Sequence, residues 1–279
     1  FVVTDYTAIM ELFFHGVAKD KHEASALAIN AGVDMSMQDG YFSQTLADLV
    51  RDKKVSEKQI DQAAARILKV KFQLGLFEDP YRYSNEERQK AEIMRPENIY
   101  AAFDMAKKSI VLLKNENEVL PISNKVKTIA VIGPLADSKR DLIGSWSAAG
   151  DWSKSVSLLE GLKKKFPSAK FIYEKGSEID KDDKSGFAKA VSAAKKADVV
   201  ILAIGEAFWM SGEAASRTDI GLPKIQEELA KAVHAVGKPV VAVLMNGRPL
   251  TINLLEENVD AILETWFLGR WLRQVIPSS

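Results

Sequence analysis

Cysteine is absent from the 279-residue chain. That excludes a disulfide framework, a thiolate metal site and a cysteine nucleophile, and it leaves the compartment open. Net charge is absent as well. The 38 Lys and Arg residues balance 38 Asp and Glu, which rules against a broad basic surface for nucleic acid and leaves room only for a local patch. No apolar run reaches about 18 residues, so no membrane-spanning helix is expected. Only three histidines occur, His15, His22 and His234. They lie far apart without metal-ligand spacing, and each reads as a surface or partner-satisfied side chain. No P-loop and no Gly-x-Gly-x-x-Gly follows an apolar run, which counts against a nucleotide-binding regulator. The Gly-x-Ser-x-Gly elbow of many serine hydrolases is missing too. What remains is an ordinary globular composition, 47% hydrophobic and 27% charged. The length suits about two domains, each with its own core.

Apolar runs alternate with helical patterns along most of the chain. The first runs are residues 1–4, ending on Asp5, and residues 33–37, preceded by a helical stretch at 22–30. Residues 56–74 carry apolar side chains at helical spacing. Ser56 and Gln59 form a candidate capping box at its start, and Gly75 is a candidate stop. Residues 78–98 turn polar and read as a linker, with Pro96 opening a helix expected to run to about Leu113. Further runs follow at 128–132, 170–173, 198–204, 239–245 and 259–263, with helical patterns at 156–166, 185–197 and 225–236. Residues 199–204 are apolar throughout, as a strand covered on both faces requires. Lys163, Lys164 and Lys165 read as the solvated face of one helix. The whole predicts α/β architecture, with a doubly wound sandwich in the second part.

In such folds ligands gather beyond the C-terminal ends of strands, and this selects a few segments. Asp5 directly follows an apolar run, where a carboxylate must pair, be solvated or react; the plainer alternative is a helix N-cap. Residues 206–219 form a long loop with three carboxylates, Arg217 and the rings of Phe208 and Trp209. Long loops often carry function, and the alternative here is a solvated surface loop. Residues 144–152 hold Trp146 and Trp152 among small residues. Aromatic faces stack on sugar rings; the alternative is that Trp146 covers the sandwich core. Carboxylates beside aromatics point toward carbohydrate chemistry.

The same residues occur as an ordered series of motifs. They include Val2-Val3-Thr4-Asp5-Tyr6, Asn30-Ala31-Gly32-Val33-Asp34-Met35-Ser36-Met37, Gly75-Leu76-Phe77-Glu78-Asp79-Pro80-Tyr81 and Ser109-Ile110-Val111-Leu112-Leu113-Lys114-Asn115. Then come Ile132-Gly133-Pro134, Gly144-Ser145-Trp146-Ser147, Glu213-Ala214-Ala215-Ser216-Arg217-Thr218, Met245-Asn246-Gly247-Arg248-Pro249 and Ile262-Leu263-Glu264-Thr265-Trp266-Phe267. Over roughly residues 1–269 the chain resembles the family 3 glycoside hydrolases, most closely their periplasmic bacterial β-glucosidases. The resemblance implies the C-terminal part of a (β/α)8-type barrel followed by a doubly wound α/β sandwich. It implies retaining hydrolysis of terminal β-D-glucosidic bonds, with Asp5 as nucleophile and Glu213 as acid/base, so that Glu206 is not the acid. Tyr6, Trp146 and Met37 are the implied substrate-binding residues. Tyr6 stands where relatives often carry Trp, so the clamp on the next sugar is expected to differ. No cofactor and no metal are implied, the partner is a β-glucoside or oligosaccharide, and nucleic acid and membrane are not expected. Periplasmic location is implied, with the cytoplasm as alternative.

The expected organisation is residues 1–82 as the last units of a partial barrel and 83–115 as linker and connecting helix. Residues 116–269 form the sandwich, and 270–279 are a tail that departs from the family pattern. A shifted or truncated reading frame is the preferred explanation for that tail, and divergence the other. A full barrel takes about 250 residues, so the earlier strands that hold the sugar are expected to be missing. By itself the chain is then expected to be an inactive fragment with aggregation-prone strand edges. The alternative is a non-catalytic module whose sandwich binds carbohydrate or a partner.

Overall fold

Residues 1–269 are described by a computed structural model. The expectation about residues 270–279 lies outside them. Contacts divide the chain into two units, Phe1–Ile93 and one beginning at Met94.

The first unit opens with β1 (Val3–Tyr6) and α1 (Ala8–Phe14), then α2 (Lys21–Asn30) and β2 (Met35–Met37). β1 and β2 pair in parallel, as the intervening helices allow. α3 (Tyr41–Arg51) and α4 (Glu57–Gln73) follow. Ser56 and Gln59 cap α4 reciprocally, and Gly75 takes φ +67° just past its end, as their residue types predict. Buried apolar side chains are few and often small: Ile9, Ala18, Ala24 and Ala28 in one cluster, Ile29, Leu49, Val55 and Ala63 in another. Asp34 ties β1, β2 and α4 together. Its buried carboxylate accepts the Val2 N–H at 2.9 Å and two bonds from the Arg66 guanidinium at 2.9 and 2.6 Å. That guanidinium holds the Asp34 carboxyl below the usual carboxylate range. Val3, Tyr6, Met35 and Met37 on the two strands stay exposed.

Two segments differ from the pattern read in the sequence. Residues 86–92 in the polar stretch form α5 (Glu86–Glu92), capped by the Asn85 side chain. α6 (Pro96–Ser109) stops short of Leu113. Ile110 is extended at ψ 134°, and β3 (Val111–Asn115) leaves as a strand. A free strand edge captures these β-branched and leucine residues, which would otherwise continue the helix.

The second unit is a six-stranded sheet in the order β3-β8-β7-β6-β4-β5. Its strands are β3, β4 (Thr128–Ile132), β5 (Lys170–Glu174), β6 (Val199–Gly205), β7 (Val240–Met245) and β8 (Ala261–Glu264). β4 through β8 pair in parallel, and β3 joins β8 antiparallel. Both faces are covered. Val199, Ile201 and Ala203 pack with Leu158, Leu159 and Leu162 of α7 (Leu158–Lys165). Val200, Leu202 and Ile204 pack with α8 (Phe187–Lys195) and α9 (Lys224–His234), chiefly against Ala190, Leu229 and Val233. Leu255 of the short α10 (Asn253–Asn258) joins this second layer. The period-2 split explains why β6 is apolar at every position. Each fully buried Leu or Ile contributes about 1.5–3 kcal/mol.

The strand order reverses between β4 and β6, the crevice where open α/β sheets bind ligands. β6 ends there in Gly205, and Gly133 directly follows β4. A Cβ on Gly133 would stand 2.0 Å from the Ala203 carbonyl oxygen, and one on Gly205 2.1 Å from that of Met245. Only glycine lets the chain leave the sheet so close to its neighbours. The buried Gln226 on α9 closes the turn: its side chain accepts the Gly205 N–H and donates to the Gly205 and Ile179 carbonyls. Among the described residues no helix is long and apolar enough to cross a membrane.

Candidate active site

The residues singled out in the sequence fall into two groups, one on each unit. On the first unit, Asp5 lies inside β1 rather than at a helix N-cap; α1 begins after Thr7, which makes no side-chain cap. Asp5 is exposed, and its carboxylate accepts the adjacent Tyr6 N–H at 2.7 Å. Tyr6 is exposed and sits in register with Met37 on β2. The fold therefore brings Asp5, Tyr6 and Met37 together at the C-terminal strand ends. Thr7 and Gln38, just beyond, adopt φ +58° and +75°. Left-handed backbone costs a β-branched residue about 1–3 kcal/mol, and such strain gathers at functional sites. The Thr7 N–H donates to the Met37 carbonyl at 3.0 Å and pins the two strand ends to each other.

On the second unit, the loop after β6 carries Glu213 at an exposed turn between Gly212 and Ala214, both at positive φ. A Cβ on Gly212 would lie 2.7 Å from Ser145 Oγ and 3.7 Å from Trp146 Nε1. The two loops marked by their aromatics thus lie against each other. Trp146 is 74% exposed and does not cover the core. Trp209 and Trp152 are exposed as well, while Phe208 lies under the Arg140 guanidinium, 3.4 Å from its ring centre. Asp141 accepts the Phe208 N–H at 2.8 Å and the Ser138 hydroxyl at 2.5 Å. Among the described residues no cluster of His, Asp and Glu side chains could hold a metal ion.

Two further buried carboxylates border these loops. Glu206, the first residue after β6, is ion-paired to Arg217 at 2.6 Å and to Arg248 at 3.3 Å. Glu264, the last residue of β8, accepts the Trp266 N–H at 2.9 Å and the Asn246 Nδ2–H at 3.1 Å, and among the described residues no cation pairs with it. Burial pushes its carboxyl above the usual range. Among the described residues the buried Asn246 Oδ1 has no hydrogen-bond partner. The sequence marks Glu206 and Arg217 as members of a long loop and Asn246, Arg248 and Glu264 as members of the motif series, without a role for any of them, and it does not mark Gln226. Their one signal is a polar residue directly after a fully apolar strand, as with Glu206 and Asn246.

The raised Glu264 carboxyl fixes a pH dependence. The folded state holds this proton more tightly than the unfolded chain, so its stabilising effect is complete below about pH 4.3. It is lost as pH rises through the folded value. The thermal midpoint of Glu264→Gln relative to the parent chain is therefore expected to be higher at pH 7 than at pH 4. Calorimetry at the two pH values checks this, and an equal difference at both would contradict it.

A mostly parallel, doubly covered sheet with glycines at its switch point, in a chain that also holds a separate unit of parallel β/α elements with an exposed carboxylate, defines an α/β protein of two units. Residues 110–276 match the glycosyl hydrolase family 3 C-terminal domain, and residues 1–70 match the family's N terminal domain. The chain belongs to glycosyl hydrolase family 3. It is 43% identical to a periplasmic beta-glucosidase of Salmonella typhimurium over 96% of its own length and 38% of that protein's. It is 40% identical to a beta-xylosidase of Formosa agariphila, over 96% and 39% respectively. A beta-glucosidase from Listeria innocua, crystallised with isofagomine, superposes with a TM-score of 0.89 at 36% identity, covering 98% of this chain and 37% of that one. The chain spans between a third and two fifths of the length of these relatives.

Proposed function

We propose that the chain serves retaining hydrolysis of terminal β-D-glucosidic bonds. Asp5 attacks the anomeric carbon, and Glu213 gives its proton to the departing glycosidic oxygen. A covalent glycosyl-Asp5 intermediate forms; Glu213, now a carboxylate, takes a proton from water, and the water cleaves the intermediate. Tyr6 and Met37 face the sugar from the strand ends, and Trp146 offers its ring to the next sugar. The observation that carries this reading is the carboxylate of Glu213 on a turn built against the exposed Trp146. The family relatives and the exposed Asp5 at a strand end support it. The S. typhimurium relative favours a glucoside over a xyloside, and a periplasmic setting.

The two strands described on the first unit supply few hydrogen-bonding groups to a sugar at Asp5. The 279 residues by themselves are therefore expected to hydrolyse 4-nitrophenyl β-D-glucoside at background rate. Exchanged for the equivalent segment of the S. typhimurium relative, residues 1–269 should give an active chimera. An inactive but folded chimera would sink the proposal, and it would favour a sandwich that only binds sugar at Trp146. Turnover by the 279 residues alone at the chimera's rate would refute the expected dependence on further barrel strands.

A further inference from the structure

Glu206 occupies a costly place for an acid. Its carboxylate is wholly buried at the end of β6, and burying a charge costs several kcal/mol unless it is well paired. The pairing found there does more than neutralise it. Arg217 Nη1 bonds one carboxylate oxygen at 2.6 Å and Arg248 Nε approaches the other at 3.3 Å. Both guanidinium groups then reach past Glu206 to the loop backbone. Arg248 Nη2 donates to the carbonyls of Met210 and Ala215, the latter at 3.1 Å. Arg217 Nη2 donates to the Gly221 carbonyl at 3.2 Å. These carbonyls flank Glu213 on both sides. A guanidinium is planar, and its donors diverge at fixed angles. Orienting it by a buried carboxylate therefore orients the carbonyls it holds. The loop also has little freedom beneath Ser211, since a Cβ on Gly247 would stand 2.0 Å from the Ser211 Oγ.

We infer that Glu206 is a positioning residue for Glu213. It aims Arg217 and Arg248 so that they clamp the backbone around the Gly212–Glu213–Ala214 turn and keep that turn against Trp146. The inference rests on the reading of Glu213 as acid/base only for its catalytic meaning; the clamp itself is a property of the loop. A plain structural ion pair would add to the stability of the whole sandwich and leave the loop's order relative to the strands unchanged.

Amide hydrogen exchange on the full 279-residue chain separates these roles, using Glu206→Gln and Arg248→Lys. Arg248→Lys keeps the positive charge beside Glu206 but cannot also span the two carbonyls. In both variants, amides of residues 208–216 are expected to exchange about tenfold faster or more, through local opening. Those of β6 and β7 should keep their rates. The Trp146 indole N–H resonance should shift, because the turn no longer rests on it. Equal acceleration in loop and strands, or unchanged loop exchange with an unmoved Trp146 signal, would overturn the inference. If Glu206→Gln does not fold, Arg248→Lys decides. No substrate enters the experiment, so its failure leaves the role of Glu213 standing, and an inactive chimera leaves the clamp standing.

Discussion

Asp5→Asn in the chimera should lower kcat for 4-nitrophenyl β-D-glucoside by about 10⁴–10⁶-fold, the scale on which nucleophile removal acts in other enzymes. The loss is chemical rather than structural. Asp5 is exposed, and its carboxylate contact in the first unit is the Tyr6 N–H at 2.7 Å. The Asn carbonyl oxygen can accept that bond in the same place. The variant should therefore unfold at the wild-type temperature while losing the covalent step. Asp34, by contrast, is buried under Arg66, and its replacement should fail by destabilising the unit. The acid that can be removed without unfolding the protein is the one free to react. A variant retaining even about a hundredth of the wild-type rate would be hard to reconcile with a nucleophile at Asp5.

Glu213→Gln should cost about 10²–10⁴-fold in kcat/KM on substrates whose leaving group needs a proton, such as phenyl or alkyl β-glucosides. With 2,4-dinitrophenyl β-D-glucoside, which departs without protonation, formation of the intermediate should proceed at nearly the wild-type rate. Its hydrolysis should be slow, because no base activates the water. Added azide, which needs no base, should then raise turnover and give the glucosyl azide with retained configuration. This dependence on the leaving group distinguishes loss of an acid from loss of a loop. Equal losses on phenyl and dinitrophenyl substrates would place the acid elsewhere.

Much of this architecture was legible because it follows short-range periodicity. The unbroken apolar run of β6 demanded cover on both faces. Ser56 and Gln59 announced α4, the strand-end rule drew attention to Asp5 and to the loop of Glu213, and aromatics among small residues marked the loop of Trp146. Other features depend on partners far away in sequence. β3 continues a helical pattern until the edge of β8 captures it. α1 starts at a left-handed Thr7 with no side-chain cap, so it carries no local starting signal. Glu206 finds its arginines 11 and 42 residues further along. Gln226 acts on a glycine 21 residues before it. Such pairings are set by sheet order, which periodicity alone does not contain. The resemblance to the family assigned roles to the two exposed carboxylates and left the buried ones, which shape the surrounding backbone, without a part.

The most direct test of the two-carboxylate reading is to trap the intermediate. The chimera would be incubated with 2-deoxy-2-fluoro-β-D-glucosyl fluoride, digested and mapped by mass spectrometry. The fluorosugar slows both steps, while the good leaving group lets the first proceed. The account predicts one fluoroglucosyl group, on the peptide that contains Asp5. Label on another residue, or continued turnover of the reagent with no labelled peptide, would contradict it.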